Sequence, residues 1–129
     1  MLKFRFNKLV RDKIVEQQIA SGAKPKYRIL DHDEHVKFLV DKIIEESKEI
    51  VDASKEEMAG EIADVQQAID DLIEKLGLTR DAVVRAQHKK NVKAGAFARG
   101  FYVDHVEVMD DNEWVAYYRK NPDRYPEIS

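Results

Sequence analysis

Charged residues make up 36% of the 129-residue chain, yet the net charge is only −3 and there is no cysteine. So even a balance argues against a nucleic-acid polymer or an anionic membrane surface as partner, and the lack of cysteine excludes disulfides, thiolate zinc sites and cysteine nucleophiles. The apolar runs are only a few residues long, far below the ~20 a membrane helix needs. The opening Met1-Leu2-Lys3-Phe4 leads into charge, with no signal-peptide pattern, so a cytoplasmic protein is expected.

By length the chain, residues 1–129, reads as one domain, small enough that dimerisation would help to bury helix faces. Its charges are unevenly spread. Residues 1–28 hold eight Lys or Arg against two acids, residues 31–64 twelve acids against four Lys, and residues 80–99 six Lys or Arg against one Asp. Basic segments therefore flank an acidic centre, a layout suited to a metal cluster that receives a polyanion.

In chain order, residues 7–20 are expected to form a helix capped by Asn7, with Leu9, Val10, Ile14 and Ile19 inward, broken by Ser21-Gly22 and Pro25. Tyr27–Leu30 reads as an extended link. A second helix runs from Asp31 or Asp33 to about Ala53. Ser54 and Glu57 have capping-box spacing and open a third, which Gly77 stops. Thr79 caps a fourth over about residues 80–94, ended by Gly95. Four helices joined by short connections predict an antiparallel four-helix bundle. Beyond it, Phe101, Val103, Val106 and Val108 favour a short hairpin or an extended arm. Asp110-Asp111-Asn112 can cap a last helix carrying Trp114, Val115, Tyr117 and Tyr118, and the Pro122 and Pro126 tail is expected to be extended.

The chemistry concentrates on the second and third helices, in Glu45-Glu46-x-x-Glu49 and Glu61-x-x-Asp64. Residues three apart share a helix face, so Glu46 pairs with Glu49 and Glu61 with Asp64. Both pairs border an apolar stripe: Val36, Leu39, Val40, Ile43, Ile50 and Val51 on one helix, Met58, Ile62, Val65, Ile69, Leu72 and Leu76 on the other. Antiparallel packing then brings four carboxylates together, where repulsion is relieved by a hard divalent cation, Mg²⁺ or Mn²⁺. The competing reading is a solvated acidic face with i,i+4 partners such as Lys42 and Glu46; the recurrence on two helices favours the metal.

These residues resemble the all-α nucleoside triphosphate pyrophosphatases, the MazG-like group that includes dimeric dUTPases and phosphoribosyl-ATP pyrophosphohydrolase. Phe6-Asn7-Lys8-Leu9-Val10-Arg11-Asp12-Lys13-Ile14 and Tyr27-Arg28-Ile29-Leu30 look like its phosphoribosyl-ATP pyrophosphohydrolase-like subgroup, and the likeness spans about residues 6–101. It implies a helical dimer or tetramer that cleaves a nucleoside triphosphate to monophosphate and pyrophosphate with Mg²⁺, in nucleotide-pool house-cleaning. It also implies Glu46, Glu49, Glu61 and Asp64 as metal ligands, with Glu45 completing the motif and Lys89 or Lys90 as the downstream lysine. Where the subgroup has Arg-Gly-Gly-Phe this chain has Ala94-Gly95-Ala96-Phe97, so Lys93 or Arg99 must replace the basic residue.

Charge on the triphosphate must be neutralised and a water oriented, with Glu49 or Glu45 free to take the proton. Lys8, Arg11, Lys13, Lys90 and Lys93 are candidates to hold the pyrophosphate; for each alone a solvated surface charge competes. Asp31-His32-Asp33-Glu34-His35 lacks the further ligands of an HD-type phosphohydrolase and reads as a helix start. Trp114, Tyr117 and Tyr118 have spacing for packing or subunit contact rather than base stacking. Two other functions remain: hydrolysis of phosphoribosyl-ATP itself, and a catalytically idle nucleotide-binding regulator on the same bundle.

Overall fold

The computed structural model describes all 129 residues and is all-helical: α1 (Ile14–Ala20), α2 (His32–Asp52), α3 (Met58–Lys75), α4 (Arg80–Ala94) and α5 (Val115–Lys120), with no strand. The chain divides into two compact units, Met1–Ala94 and Gly95–Ser129. The boundary falls at Gly95, whose φ of 79° is the left-handed conformation in which glycine ends helices.

In the first unit α2 begins where a side chain satisfies its orphan amides: Asp31 accepts from the Glu34 N–H at 2.9 Å. Ser54 Oγ accepts from the Glu57 N–H at 3.3 Å ahead of α3, and Thr79 Oγ1 from the Ala82 N–H at 3.1 Å at the head of α4. Between α3 and α4, Gly77 takes φ 71°, so the chain turns without side-chain strain.

The only extensive helix packing is α2 on α3. The two run antiparallel: the His32 ring at the start of α2 lies 3.1 Å from the Lys75 carbonyl at the end of α3. Their apolar stripes meet where expected, with Leu39 and Ala68 buried and Val36, Ile43, Val65, Ile69 and Leu72 partly so. Val40, Val51 and Ile62 fall outside the seam and stay exposed. A half-exposed stripe is what two helices leave when they bury only the residues facing each other.

Two expectations change, and one alternative is excluded. The first helix starts at Ile14, not Asn7; Asn7 has φ 47° and turns the chain as a left-handed residue instead of capping a helix. Residues 8–13 therefore cross the molecule as irregular chain, with Leu9 and Val10 half-buried and Ile19 exposed. Of the two alternatives for residues 101–109, the hairpin does not form. The tail is not extended either: within the second unit it folds back so that Tyr125 lies 5.1 Å from Tyr118 and 5.7 Å from Tyr117 by ring centroid, and Arg119 pairs with Glu127 at 2.8 Å. Trp114 completes this aromatic cluster edge-on to Tyr117 at 5.8 Å, the packing role its helical spacing suggests. Asn112 Oδ1 accepts from the Trp114 N–H at 2.9 Å and sets the entry to α5.

Candidate metal centre

Antiparallel packing sets the middle of α2 against the first half of α3, and there the acidic motifs meet. Carboxylate oxygens of Glu46, Glu61 and Asp64 all lie within 4.8 Å of one another. Each of the three is half-buried, at the edge of the seam beside the apolar stripe, where a carboxylate has lost part of its water. Glu61 registers the crowding. Partial burial and then the charges of Asp64, Glu49, Glu46 and Glu57 push its carboxyl above the usual glutamate range. Glu49 acts on Glu61 through its charge but is exposed and lies outside the three-residue cluster.

Three oxygen donors this close suit a hard divalent ion, whose ligands at ~2.0–2.6 Å need only a modest rotamer adjustment to share it. Glu46, Glu61 and Asp64 therefore fit the donor set, with Glu49 on the adjoining turn.

Cations of the chain itself now screen the acids. Lys42 lies 3.4 Å from Glu46 and 2.9 Å from Glu45. From the irregular N-terminal segment, Lys8 reaches Glu45 at 3.3 Å and Arg11 donates to Asp64 at 2.5 Å. Partial burial works to raise the Glu45 carboxyl, but hydrogen bonds from Lys42 and Lys8 outweigh it and hold the group below the usual range. Glu45 is thus engaged by two lysines, whereas Glu49 carries no ion pair.

Beside the cluster an open cleft of about 260 Å³ is walled by Leu9, Val10, Leu39 and Ala68 and shares Glu46 and Asp64 with it. His35, Gln67 and Asp71 also line it; His35 stands out in the sequence only as part of the polar helix start, and Gln67 and Asp71 do not stand out, although they follow Asp64 at three- and seven-residue spacing on one face. Lys42 is legible there only as an i,i+4 partner.

Of the remaining candidate cations in the first unit, none pairs with a carboxylate of the cluster. Lys13 precedes α1 and makes no ion pair, and Lys89, Lys90 and Lys93 stand on the exposed length of α4, also without acidic partners. Arg99 belongs to the second unit, where its guanidinium lies over the Phe101 ring at 4.6 Å. Among known proteins, neither family models, nor curated proteins, nor solved structures match this chain.

Proposed function

We propose that the protein is a Mg²⁺-dependent nucleoside triphosphate pyrophosphohydrolase of the all-α, MazG-like kind, releasing pyrophosphate and a nucleoside monophosphate. The observation that supports this most is the convergence of Glu46 from α2 with Glu61 and Asp64 from α3 within 4.8 Å. A bound divalent ion would supply charge neutralisation for the triphosphate and a more acidic water. Glu49, one turn beyond Glu46 and free of cation partners, would serve as the base toward the attacking water. Lys8 and Arg11 sit at the cluster on a segment without regular structure, so they can exchange carboxylate for phosphate partners. The cleft walled by Leu9, Val10, Leu39 and Ala68 offers apolar contact for the nucleoside.

The sequence predicts a four-helix bundle from the chain's own four helices, but only α2 and α3 pack extensively within one chain; in this reading an assembly of copies supplies the further helices. Two packed helices leave Val40, Ile44, Val51 and Ile62 in water, and a homodimer or homotetramer would cover them. It would also bring further helices, with their lysines, to each cluster.

A second reading has one specific observation in its favour. Asp64 and Glu46 already pair with Arg11 and Lys42, so two of the three clustered acids have cation partners without a metal, as an idle nucleotide-binding regulator would favour. Product analysis separates the two. With Mg²⁺ and a panel of canonical and damaged nucleoside triphosphates, together with phosphoribosyl-ATP, the enzyme reading expects pyrophosphate and monophosphate in equal amounts, lost in Glu46→Gln and Asp64→Asn. No turnover of any of them by folded protein would favour the regulator.

A further inference from the structure

Between the last turn of α4 and α5 lies a segment whose composition and conformation disagree. Residues 101–108 read Phe-Tyr-Val-Asp-His-Val-Glu-Val, dense in strand formers. Yet they form no strand, and none of their backbone groups is hydrogen-bonded to another backbone group. Every side chain is exposed, Tyr102 at 92% and Val103 at 73%. A β-prone run with free donors and acceptors is a template for pairing with another strand.

The chain's own charges identify that strand. In an antiparallel pair related by a two-fold axis, if residue i opposes j then j opposes i. Opposed side chains share a face while successive ones alternate, so the axis must run through a residue that opposes itself. Four residues compete for that place near the middle of the run. Asp104 or Glu107 at the axis would set like charges against each other, which is unfavourable. His105 there would oppose two imidazoles and leave Glu107 facing Val103. Val106 gives the most complementary set: valine on valine, His105 on Glu107 of the partner subunit twice over and Val103 on Met109 of the partner subunit, with Asp104 against Val108 the one mismatch, whereas His105 at the axis sets both Asp104 and Glu107 against valines.

We infer that residues 103–109 pair antiparallel with the same segment of a second copy of this chain, with Val106 at the two-fold axis. The His105 ring already lies between acids, its Nδ1 2.8 Å from Asp104 and its Nε2 3.7 Å from Glu107. In the paired strand residues 104 and 105 face opposite ways, so the Asp104 contact is exchanged for the carboxylate of the partner's Glu107. This names a contact surface for the homo-oligomer proposed above and rests on it.

The absence of native cysteine makes disulfide trapping a clean test. In the proposed register Val106→Cys brings two sulfurs within bonding reach, since directly opposed Cα atoms are ~4.5–5.5 Å apart. Asp104→Cys leaves its two copies four residues out of register, roughly 13 Å apart and beyond reach. Under mild oxidation, Val106→Cys should form a covalent dimer at least about tenfold faster than Asp104→Cys or Val108→Cys, with unchanged helical circular dichroism. Faster linking of His105→Cys, equal rates across the series, or no covalent dimer would overturn the proposal. The native mass of the unsubstituted protein distinguishes the two levels. A monomer removes the homo-oligomer itself, whereas an oligomer without the Val106 preference removes only this surface.

Discussion

Arg11 and Asp64 stand 53 residues apart in the chain, yet the Arg11 guanidinium donates to the Asp64 carboxylate at 2.5 Å. The pair ties the irregular N-terminal segment to α3 at one of the three clustered carboxylates. Arg11 therefore occupies charge that a divalent ion would claim, and the ion's arrival would free it for a phosphate.

Arg11→Gln should tighten Mn²⁺ binding in the absence of nucleotide. Both side chains are partly exposed, so an ion pair worth ~0.2–1 kcal/mol predicts a gain of about 1.4- to fivefold. Titration calorimetry reads the affinity directly. Weaker binding in the variant would mean that Arg11 supports the site rather than competing for it.

Glu61 makes the metal-free protein sensitive to pH. Burial and neighbouring acids raise its carboxyl above the ordinary value, so its contribution is fully present while it is protonated, below the unfolded value, and is lost as pH rises through the raised folded value. At neutral pH in EDTA, Glu61→Gln should therefore melt at a higher temperature than the unsubstituted protein. Adding Mn²⁺ should raise the melting temperature of the unsubstituted protein more than that of the variant. A variant that melts lower in EDTA would contradict this account.

The two glutamates beside the cluster should separate kinetically. Glu49 is free of cation partners, and Glu49→Gln should reduce kcat by about 10²–10⁴, the usual worth of a positioned base, with metal still bound. Glu45 instead holds Lys8 and Lys42. Glu45→Gln should raise KM through the loosened N-terminal segment and leave most of kcat. Equal losses of kcat in both variants would refute the division of roles.

Gly77 joins α3 to α4 at φ 71°, and no neighbouring atom lies within 4 Å of where a methyl group on its Cα would stand. Space is therefore not the constraint; conformation is. Gly77→Ala should cost about 1 kcal/mol of stability, from left-handed backbone strain alone, visible as a shift in urea midpoint. A neutral result would show that the turn relaxes to another conformation.

The helix boundaries are legible in the sequence because their signals are local. Asp31, Ser54 and Thr79 accept the amides their spacing suggests, and Gly77 and Gly95 end helices in the left-handed conformation glycine favours. Asn7 misleads because asparagine serves equally as a cap and as a left-handed turn residue, and the first few residues do not distinguish them. The meeting of Glu46 with Glu61 and Asp64 is also readable, since two local spacings and one antiparallel packing suffice. Arg11 on Asp64 and Lys8 on Glu45 are not, because they depend on the path of irregular chain across two helices. Nor is the return of Tyr125 onto Tyr118, which needs a turn at Asn121–Arg124 where the two prolines of the tail argue for extended chain.

Counting the divalent ions held by the cluster tests the central claim most directly. Electron paramagnetic resonance of Mn²⁺ titrated into nucleotide-free protein should show binding in the unsubstituted chain and its loss in Glu46→Gln and Asp64→Asn, both still helical by circular dichroism. Mn²⁺ binding that is undiminished in both variants would contradict the assignment of Glu46, Glu61 and Asp64 as a shared metal site.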